Sequence, residues 1–280
     1  MPVDLHTHST ASDGTRTPTQ LVEAAAAAGL SAIAITDHDT IDGVAEGQIA
    51  GDRVGLEVIS GLELSLQWDR GGMHLIALFV PLSRGPLQDR LQHLRSGRDQ
   101  RNRHIIQRLN ELAMEITIEE VEEVAGKGSV GRPHVAAVMV QKGQVPDQRT
   151  AFDEFLGKDR PAYVERPRLS PDEAIRLTIG SGAVPVLAHP HTLGIDRANE
   201  MADLLEWLRE AGLVGLEAVY SSYQRHERYG YEDLAGRFGL LVSGGSDFHG
   251  DFKPGLELGI GYGDLAVPEP ILERLRGRAG

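Results

Sequence analysis

Short apolar runs that alternate with helical patterns dominate both ends of the chain. Residues 31–36 form an apolar run typical of a buried strand, and it follows an alanine-rich helical pattern at about 21–28. The chain opens with a strand pattern in which the apolar Val3 and Leu5 alternate with polar residues. This strand, the helix and the strand at 31–36 together predict a βαβ unit with a parallel sheet. The same rhythm returns after Ser170, where the predicted strands are 184–188, 214–219 and 240–243. The chain is therefore predicted to be an α/β protein with a barrel-like sheet.

The period of the apolar residues changes between about residues 86 and 166. Leu87 and Leu91 begin a series at helical spacing, and the strand rhythm is absent from this stretch. We therefore predict that residues 1–85 and 167–280 form one α/β domain. Residues 86–166 are predicted to be a helical insertion that lies as a cap over the barrel and recognises the substrate.

Composition narrows the chemistry and the partners. The 280 residues contain no cysteine, so disulfides, thiolate zinc sites and cysteine nucleophiles are excluded, and any metal needs nitrogen or oxygen ligands. The net charge of −13 argues against binding to long duplex nucleic acid. Membrane-length apolar runs and a leader pattern are absent, so we expect a cytoplasmic protein that does not bind membranes. The sequence does not indicate an oligomeric state.

The start of the predicted insertion, together with the two residues before it, is strongly basic. Residues 84–108 contain seven arginines against two aspartates, which predicts a surface that faces an anion. Arg98 and Arg101 lie one turn apart on a predicted helix, so they can face one anion together. The alternative for any one of these arginines is a solvated helix face.

Histidine, aspartate and glutamate recur where apolar strands end. Seven such residues are His6, His8, His38, Glu63, His189, Asp247 and His249, and Asp13 lies just past the first strand. The carboxyl ends of parallel strands meet at one edge of an α/β sheet, and sheet closure would bring the first and last strands together. His74 fits less well, because it begins its strand. A single histidine is ordinarily a core or surface residue, but burying so many ionisable groups together is costly without metal ions. We therefore predict a metal site.

Several motifs, taken in order, closely resemble those of the PHP (polymerase and histidinol phosphatase) family. They are Asp4-Leu5-His6-Thr7-His8-Ser9, Ser12-Asp13-Gly14, Thr36-Asp37-His38-Asp39, Gly61-Leu62-Glu63, Ala188-His189-Pro190 and Gly245-Ser246-Asp247-Phe248-His249. The insertion, with its Gly131-Arg132-Pro133-His134 segment, resembles the branch that contains nucleoside 3′,5′-bisphosphate phosphatases and 5′-to-3′ exoribonucleases. The resemblance implies a distorted (β/α)7 barrel with a helical insertion and a trinuclear metal centre.

The same resemblance implies a ligand for each position of that centre. One metal would be held by His6, His8, Glu63 and Asp247, a second by Glu63 with His74 and His189, and a third by Asp13, His38 and His249. Nitrogen and oxygen ligands suit Mn²⁺, which we expect, or Fe²⁺ or Zn²⁺. One departure is His191, where relatives carry glycine. This residue could contact the substrate or be solvated, and we expect it to be solvated.

The resemblance and the metal chemistry together predict a phosphatase. We expect a metal-bound hydroxide, held by Glu63, Asp247 and His249, to attack phosphorus directly. Asp37 and Asp39 are expected to orient the ligands. The expected substrate is a nucleoside 3′,5′-bisphosphate that loses its 3′-phosphate, or a short 5′-phosphorylated oligoribonucleotide. The residues expected to bind its other phosphate are Arg98, Arg101, Arg132, His134 and Arg160.

Two alternatives remain open from the sequence. The chain could act on another small phosphomonoester, such as histidinol phosphate, and turnover across such substrates would distinguish the two. It could also be a non-catalytic PHP interaction module. Degenerate modules should have lost ligands, whereas all nine positions are occupied here; a protein without bound metal would favour this second alternative.

Overall fold

The fold is organised around one sheet, seen in a computed structural model that describes residues 1–126, 130–165 and 167–280. Within those residues the sheet has eight strands in the order β7-β6-β5-β4-β3-β2-β1-β8. The strands are β1 (Pro2–Thr7), β2 (Ala32–Ile35), β3 (Glu57–Ser65), β4 (His74–Leu78), β5 (Val184–Leu187), β6 (Gly215–Tyr220), β7 (Leu241–Gly245) and β8 (Val267–Pro268). The predicted α/β class is confirmed.

The first and last long strands meet and nearly close the sheet into a barrel. The backbone N–H of Asp247 donates to the carbonyl of His6 at 2.8 Å, and the N–H of His8 donates to the carbonyl of Phe248 at 2.9 Å. The two-residue strand β8 pairs antiparallel with the start of β1. The segment after β7 therefore runs beside the His6 to His8 segment, as sheet closure predicted.

Strand β4 distorts the barrel because it runs against both of its neighbours. It pairs antiparallel with β3 and with β5, whereas β1 to β3 and β5 to β7 pair in parallel. Ser65, the last residue of β3, lies opposite His74, the first residue of β4. His74 begins its strand, yet the reversed direction puts it at the edge where the parallel strands end.

Helices cover the outside of the sheet, and they also form most of the chain between β4 and β5. They are α1 (Pro18–Ala27), α2 (Val44–Val54), α3 (Pro86–Glu111), α4 (Ile118–Ala125), α5 (Arg132–Gln141), α6 (Gln148–Ala151), α7 (Pro171–Gly180), α8 (Ala198–Glu210), α9 (Arg225–Arg237) and α10 (Glu269–Arg276). A π-helical turn, Phe152–Leu156, follows α6. Thr17 caps α1 by accepting the N–H of Gln20, and Pro18 is the first residue of the helix. Among the described residues, no helix has the length and apolar character needed to cross a membrane.

Helix α3 belongs to two apolar cores. Its first half places Leu87, Leu91 and Leu94 in the core formed with β3, β4 and α7. Its second half places Ile105 and Leu109 in a separate core with α4, α5 and the π-helical turn. The helical region thus has a core of its own, but α3 ties it to the barrel. The division of the chain at residues 86 and 166 stays a prediction.

Candidate metal centre and adjoining cavity

Two imidazoles from the first strand form the deepest part of the site. His6 and His8 are fully buried, and their Nε2 atoms lie 3.1 Å apart. Oδ1 of Asp247, on the segment after β7, lies 3.5 Å from Nε2 of His6 and 3.3 Å from Nε2 of His8. Two nitrogen donors and one carboxylate oxygen therefore converge where the barrel closes.

Glu63 joins this group to histidines from three other segments. Its Oε1 lies 2.8 Å from Nδ1 of His74 and 2.9 Å from Nε2 of His189. Its Oε2 lies 3.0 Å from Nδ1 of His38 and 3.5 Å from Nε2 of His6. Each oxygen of Glu63 therefore lies among a different set of nitrogen donors.

A third set of donors surrounds Asp13 at the outer side of the site. Asp13 Oδ2 lies 3.7 Å from Nε2 of His38, and its Oδ1 lies 3.4 Å from Nε2 of His249. Nδ1 of His8 lies 3.6 Å from the same Oδ1. The structure thus brings together all nine residues that the sequence nominated as ligands, although their assignment as ligands stays a prediction.

These donors fit divalent metal ions. Within the described residues, four groups place their ligand atoms within 4.8 Å of one another. The first group is His8, Asp13, His38 and His249, and the second is His6, His8 and Asp247. The third is His6, Glu63 and His189, and the fourth is His38, Glu63 and His74. Nδ1 of His8 is buried without a hydrogen-bond partner, which is costly for a polar atom unless something else binds it. Four residues each occur in two groups, namely His6, His8, His38 and Glu63, so the geometry does not by itself fix the number of ions.

The charge states of the donors follow from burial and from their neighbours. Burial, together with the nearby charge of His249, lowers the pKa of His8 to about 3, so its ring is neutral and can act as a ligand. Burial lowers the pKa of His38 as well, but the charges of Glu63 and Asp13 outweigh it and raise that pKa to about 9. Burial raises the pKa of Glu63, but His38 and His74 outweigh it and hold that pKa well below its usual range. A metal that binds here therefore finds an ionised carboxylate and must displace a proton from His38.

Glu217 supports the site from behind and was missed in the sequence. It is fully buried in β6. Nδ1 of His6 donates to its Oε1 at 2.9 Å, and the backbone N–H of His189 donates to its Oε2 at 2.7 Å. His189 has the strained φ value of 23°, so this hydrogen bond holds a backbone that few side-chain-bearing residues adopt. The signal in the sequence was a lone carboxylate inside an apolar strand.

Asp247 is held by two further groups that sequence reasoning did not find. The hydroxyl of Tyr220 donates to its Oδ2 at 2.7 Å, and Nζ of Lys253 also contacts that oxygen. The pairing register of β6 slips between Glu217 and Val219, so Glu217 and Tyr220, three residues apart, both reach the site. A regular strand would have turned one of them away.

Asp37 and Asp39 act on the surrounding loops. Asp37 accepts the N–H of Ser9 at 2.7 Å and the hydroxyls of Ser9 and Ser12 at 2.6 and 2.7 Å, which fixes the loop that carries Asp13. Asp39 accepts the N–H of Ser65 at 3.2 Å and binds the guanidinium of Arg98. These two carboxylates thus hold the loops that carry Asp13 and His38. Their predicted role in orienting the ligands stays a prediction.

A cavity of about 560 Å³ opens beside the donors. Asp13, His38 and His74 line its inner side. The cations that line it are Arg98, Arg101, Arg132, Lys158 and Arg168, and its aromatic walls are Trp68, Phe152 and Tyr163. Lys158, Arg168 and Trp68 were not singled out in the sequence, because they lie outside any motif and outside the Arg-rich helix.

The five residues predicted to bind substrate are placed differently from one another. Arg98, Arg101 and Arg132 line this cavity. His134 lines a neighbouring cavity of about 1080 Å³. Arg160 is exposed and lines neither of the two.

Three of these five residues also make contacts within the protein. Arg98 is buried, with 7% of its side chain exposed, against the carboxylate of Asp39. Nη1 of Arg132 donates to the carbonyl of Leu156 at 3.0 Å, and its guanidinium lies near the rings of Phe152 and Tyr163. Nδ1 of His134 accepts the N–H of Gly131 at 3.0 Å and so caps α5.

His191 lies beside the metal centre without lining the main cavity. Its ring is 6.1 Å from that of His189, and its Nδ1 lies 3.0 Å from the hydroxyl of Tyr223. The residue is exposed, in keeping with the expectation that it is solvated.

A buried cluster of nitrogen and oxygen donors at the mouth of an α/β barrel, next to a cavity lined by cations, defines a metal-dependent hydrolase for anionic substrates. Comparison with known proteins agrees. The family model described as PHP domain matches residues 4–127. A 3′,5′-nucleoside bisphosphate phosphatase from Chromobacterium violaceum is 31% identical over 277 residues, which cover 99% of this chain and 97% of the relative. The chain therefore belongs to the PHP family.

Further relatives carry other activities in their names. A 5′-3′ exoribonuclease from Haemophilus influenzae is 33% identical over 249 residues, covering 88% of this chain and 89% of the relative. A phosphoribosyl 1,2-cyclic phosphate 1,2-diphosphodiesterase from Eggerthella lenta is 30% identical over 254 residues, covering 89% of this chain and 94% of the relative.

A solved structure also matches over the full length. It is a Chromobacterium violaceum protein described as an amidohydrolase with bound sulfate and no metal, and it superposes with a TM-score of 0.88 at 30% identity, covering 99% of this chain and 97% of that one. The predicted PHP barrel is confirmed by this match.

Proposed function

We propose that this protein is a metal-dependent phosphatase that releases the 3′-phosphate of nucleoside 3′,5′-bisphosphates. Stepwise hydrolysis of short 5′-phosphorylated oligoribonucleotides is compatible with the same site. The observation that carries the proposal is the position of the donor cluster, which forms one end of a cavity whose other walls contribute cations and aromatic rings. Such a cavity suits a substrate with a reacting phosphate, a base and a second phosphate.

The names of the relatives support this substrate class over others. Relatives that match most of this chain are named for a nucleoside bisphosphate and for RNA, and both substrates present a phosphoester on a ribose. The relative named for a cyclic ribose phosphate keeps a second candidate open. Histidinol phosphate has no second phosphate for the cations of the cavity to bind, so it is the weaker candidate.

We further propose that the nine donors hold three divalent ions, with Mn²⁺ as the metal. His6, His8, Glu63 and Asp247 would hold one ion, Glu63 with His74 and His189 a second, and Asp13, His38 and His249 a third. Bound ions of this kind lower the pKa of water, screen phosphate charge and stabilise the charge that develops at an in-line displacement.

The chain's own residues prepare that reaction in three ways. Glu217 fixes the ring of His6 with Nε2 facing the site, since Nδ1 donates to the carboxylate. Tyr220 and Lys253 hold Oδ2 of Asp247 and leave its Oδ1 toward the histidines. The guanidinium groups of the cavity wall provide a positive field that attracts a phosphate and orients it.

The experiment is a phosphate-release assay on the purified protein with added Mn²⁺. Its substrates are adenosine 3′,5′-bisphosphate, a 5′-phosphorylated trinucleotide, histidinol phosphate and a ribose cyclic phosphate, at equal concentrations. We expect the bisphosphate to have the highest kcat/KM and the product to be adenosine 5′-monophosphate. If neither the bisphosphate nor the trinucleotide is cleaved, and Arg132→Ala changes turnover of no active substrate, the proposal is wrong.

A further inference from the structure

Arg168 is a half-buried cation of the cavity wall. It lies in the segment that leads from the helical insertion into α7 and lines the cavity beside the metal centre. Its Nε is buried and has no hydrogen-bond partner. Among the residues that the structure describes, no hydrogen bond or ion pair of the Arg168 guanidinium is found, whereas buried guanidinium nitrogens normally have acceptors.

The backbone around Arg168 is held from both sides. Pro167 packs on α3 at Gly97, where an added Cβ would lie only 3.2 Å from the proline ring. On the other side, Leu169 is fully buried, and its carbonyl accepts the N–H of Gln67 at 2.7 Å. The backbone of Arg168 is therefore held in place by packing, so that only its side chain has to become ordered when it binds a ligand.

Three of the other four cations of this wall contact the protein itself. Arg98 is paired with Asp39, Nη1 of Arg132 donates to the carbonyl of Leu156, and Nζ of Lys158 donates to the carbonyl of Asp69 at 2.9 Å. Arg168 differs from these three because no described residue holds its guanidinium with an acceptor that an arriving anion would have to displace. Two parallel N–H groups of a guanidinium match the oxygens of a phosphate.

We propose that Arg168 binds the second, non-reacting phosphate of the substrate and so determines the preference for bisphosphorylated over monophosphorylated nucleotides. This inference rests on the proposed function, since it needs a substrate with one phosphate at the metal centre and another across the ribose. Arg168 is a specificity-determining residue here, and the cluster of donors remains the site of the reaction.

The test compares adenosine 3′,5′-bisphosphate with adenosine 3′-monophosphate, which lacks only the second phosphate. For Arg168→Gln we expect kcat/KM for the bisphosphate to fall roughly ten- to hundredfold, the usual loss for a charge-assisted hydrogen bond. We expect kcat/KM for the monophosphate to change less than about threefold on the same scale. Arg168→Lys should recover part of the preference, because it keeps the charge and loses the paired geometry. Arg237→Gln, at an exposed arginine on α9, is the matched control and should change neither value.

The outcomes separate this inference from the proposed function. If the wild-type protein prefers the bisphosphate and Arg168→Gln lowers turnover of both substrates equally, or of neither, the role of Arg168 is wrong while the function stands. If the wild-type protein hydrolyses neither nucleotide, the proposed function itself is wrong. Circular dichroism and the Tm of each variant show whether an equal loss on both substrates comes from unfolding, in which case Arg168→Lys provides the decisive comparison of the two substrates.

Discussion

Glu217 and His6 form a buried pair in which the carboxylate, on β6, accepts a hydrogen bond from Nδ1 of the imidazole, on β1, at 2.9 Å. The other carboxylate oxygen accepts the backbone N–H of His189 at 2.7 Å. One side chain thus orients two proposed ligands from different segments of the barrel, and each of its oxygens accepts one hydrogen bond. Carboxylates that orient metal-bound imidazoles in this way commonly affect metal affinity ten- to a hundredfold.

We expect Glu217→Gln to weaken Mn²⁺ binding by about ten- to a hundredfold. An amide keeps the shape of the side chain but provides one acceptor in place of two, so either His6 or His189 loses its partner. The measurement is a calorimetric titration of the metal-free protein with Mn²⁺, and far-UV circular dichroism shows that the fold is retained. Glu210→Gln, at an exposed position on α8, is the control; equal affinities for the two variants would contradict the role of Glu217.

We expect the replacement Glu63→Gln to reduce catalysis far more than Glu217→Gln does. Both oxygens of Glu63 face imidazole nitrogens within 3.0 Å, from His74 and His189 on one side and from His38 on the other. We expect kcat to fall on the order of 10²–10³-fold, because the lost charge stabilises the bound ions and through them the transition state. Elemental analysis should show fewer metal ions per chain than in the wild type. Full metal content together with wild-type kcat would mean that Glu63 is not a ligand.

Arg98 should contribute to stability as well as to the cavity wall. Its side chain and that of Asp39 are 7% and 3% exposed, and removing the guanidinium takes a cation away from a buried carboxylate. We expect Arg98→Ala to lower the free energy of unfolding by about 3 kcal/mol. Arg95→Ala removes an ion pair whose partners are 43% and 61% exposed and should cost less than about 1 kcal/mol. Urea denaturation measures both; equal small losses would favour a role for Arg98 in substrate binding alone.

The sequence was informative where a ligand lies at the end of a strand, and less so where a partner comes from elsewhere in the chain. His6 and Asp247 could be placed at one edge because parallel strands end together. His74 was doubtful only because the direction of β4 depends on its pairing with β3, which no local pattern records. The ion pair between Arg98 and Asp39 could not be anticipated from helical spacing, since it joins residues 59 positions apart. Glu217 was hidden because a register slip in β6 decides which side chains face the site.

Metal binding should stabilise the protein and should release protons. The pKa of His38 is raised to about 9 by Glu63 and Asp13, against the effect of burial, so below that pH the metal-free ring is protonated and cannot act as a ligand. We therefore expect apparent Mn²⁺ affinity to rise between pH 6 and pH 8 by up to about tenfold per pH unit for each proton displaced.

Calorimetry in buffers of different ionisation enthalpy measures the protons released. At a hundredfold excess over Kd, Mn²⁺ should add about 2.7 kcal/mol to the free energy of unfolding, seen as a Tm that falls with EDTA and recovers with Mn²⁺. In the metal-free protein, the stability that His38 contributes falls as the pH rises. Because the pKa of His38 is raised in the folded state, this contribution is fully present below the unfolded value of 6.5 and is lost as the pH rises through about 9. The Tm difference between the Mn²⁺-bound and metal-free forms should therefore widen from pH 6 to pH 8, and a difference that is constant or narrows would contradict the assignment of His38 as a ligand.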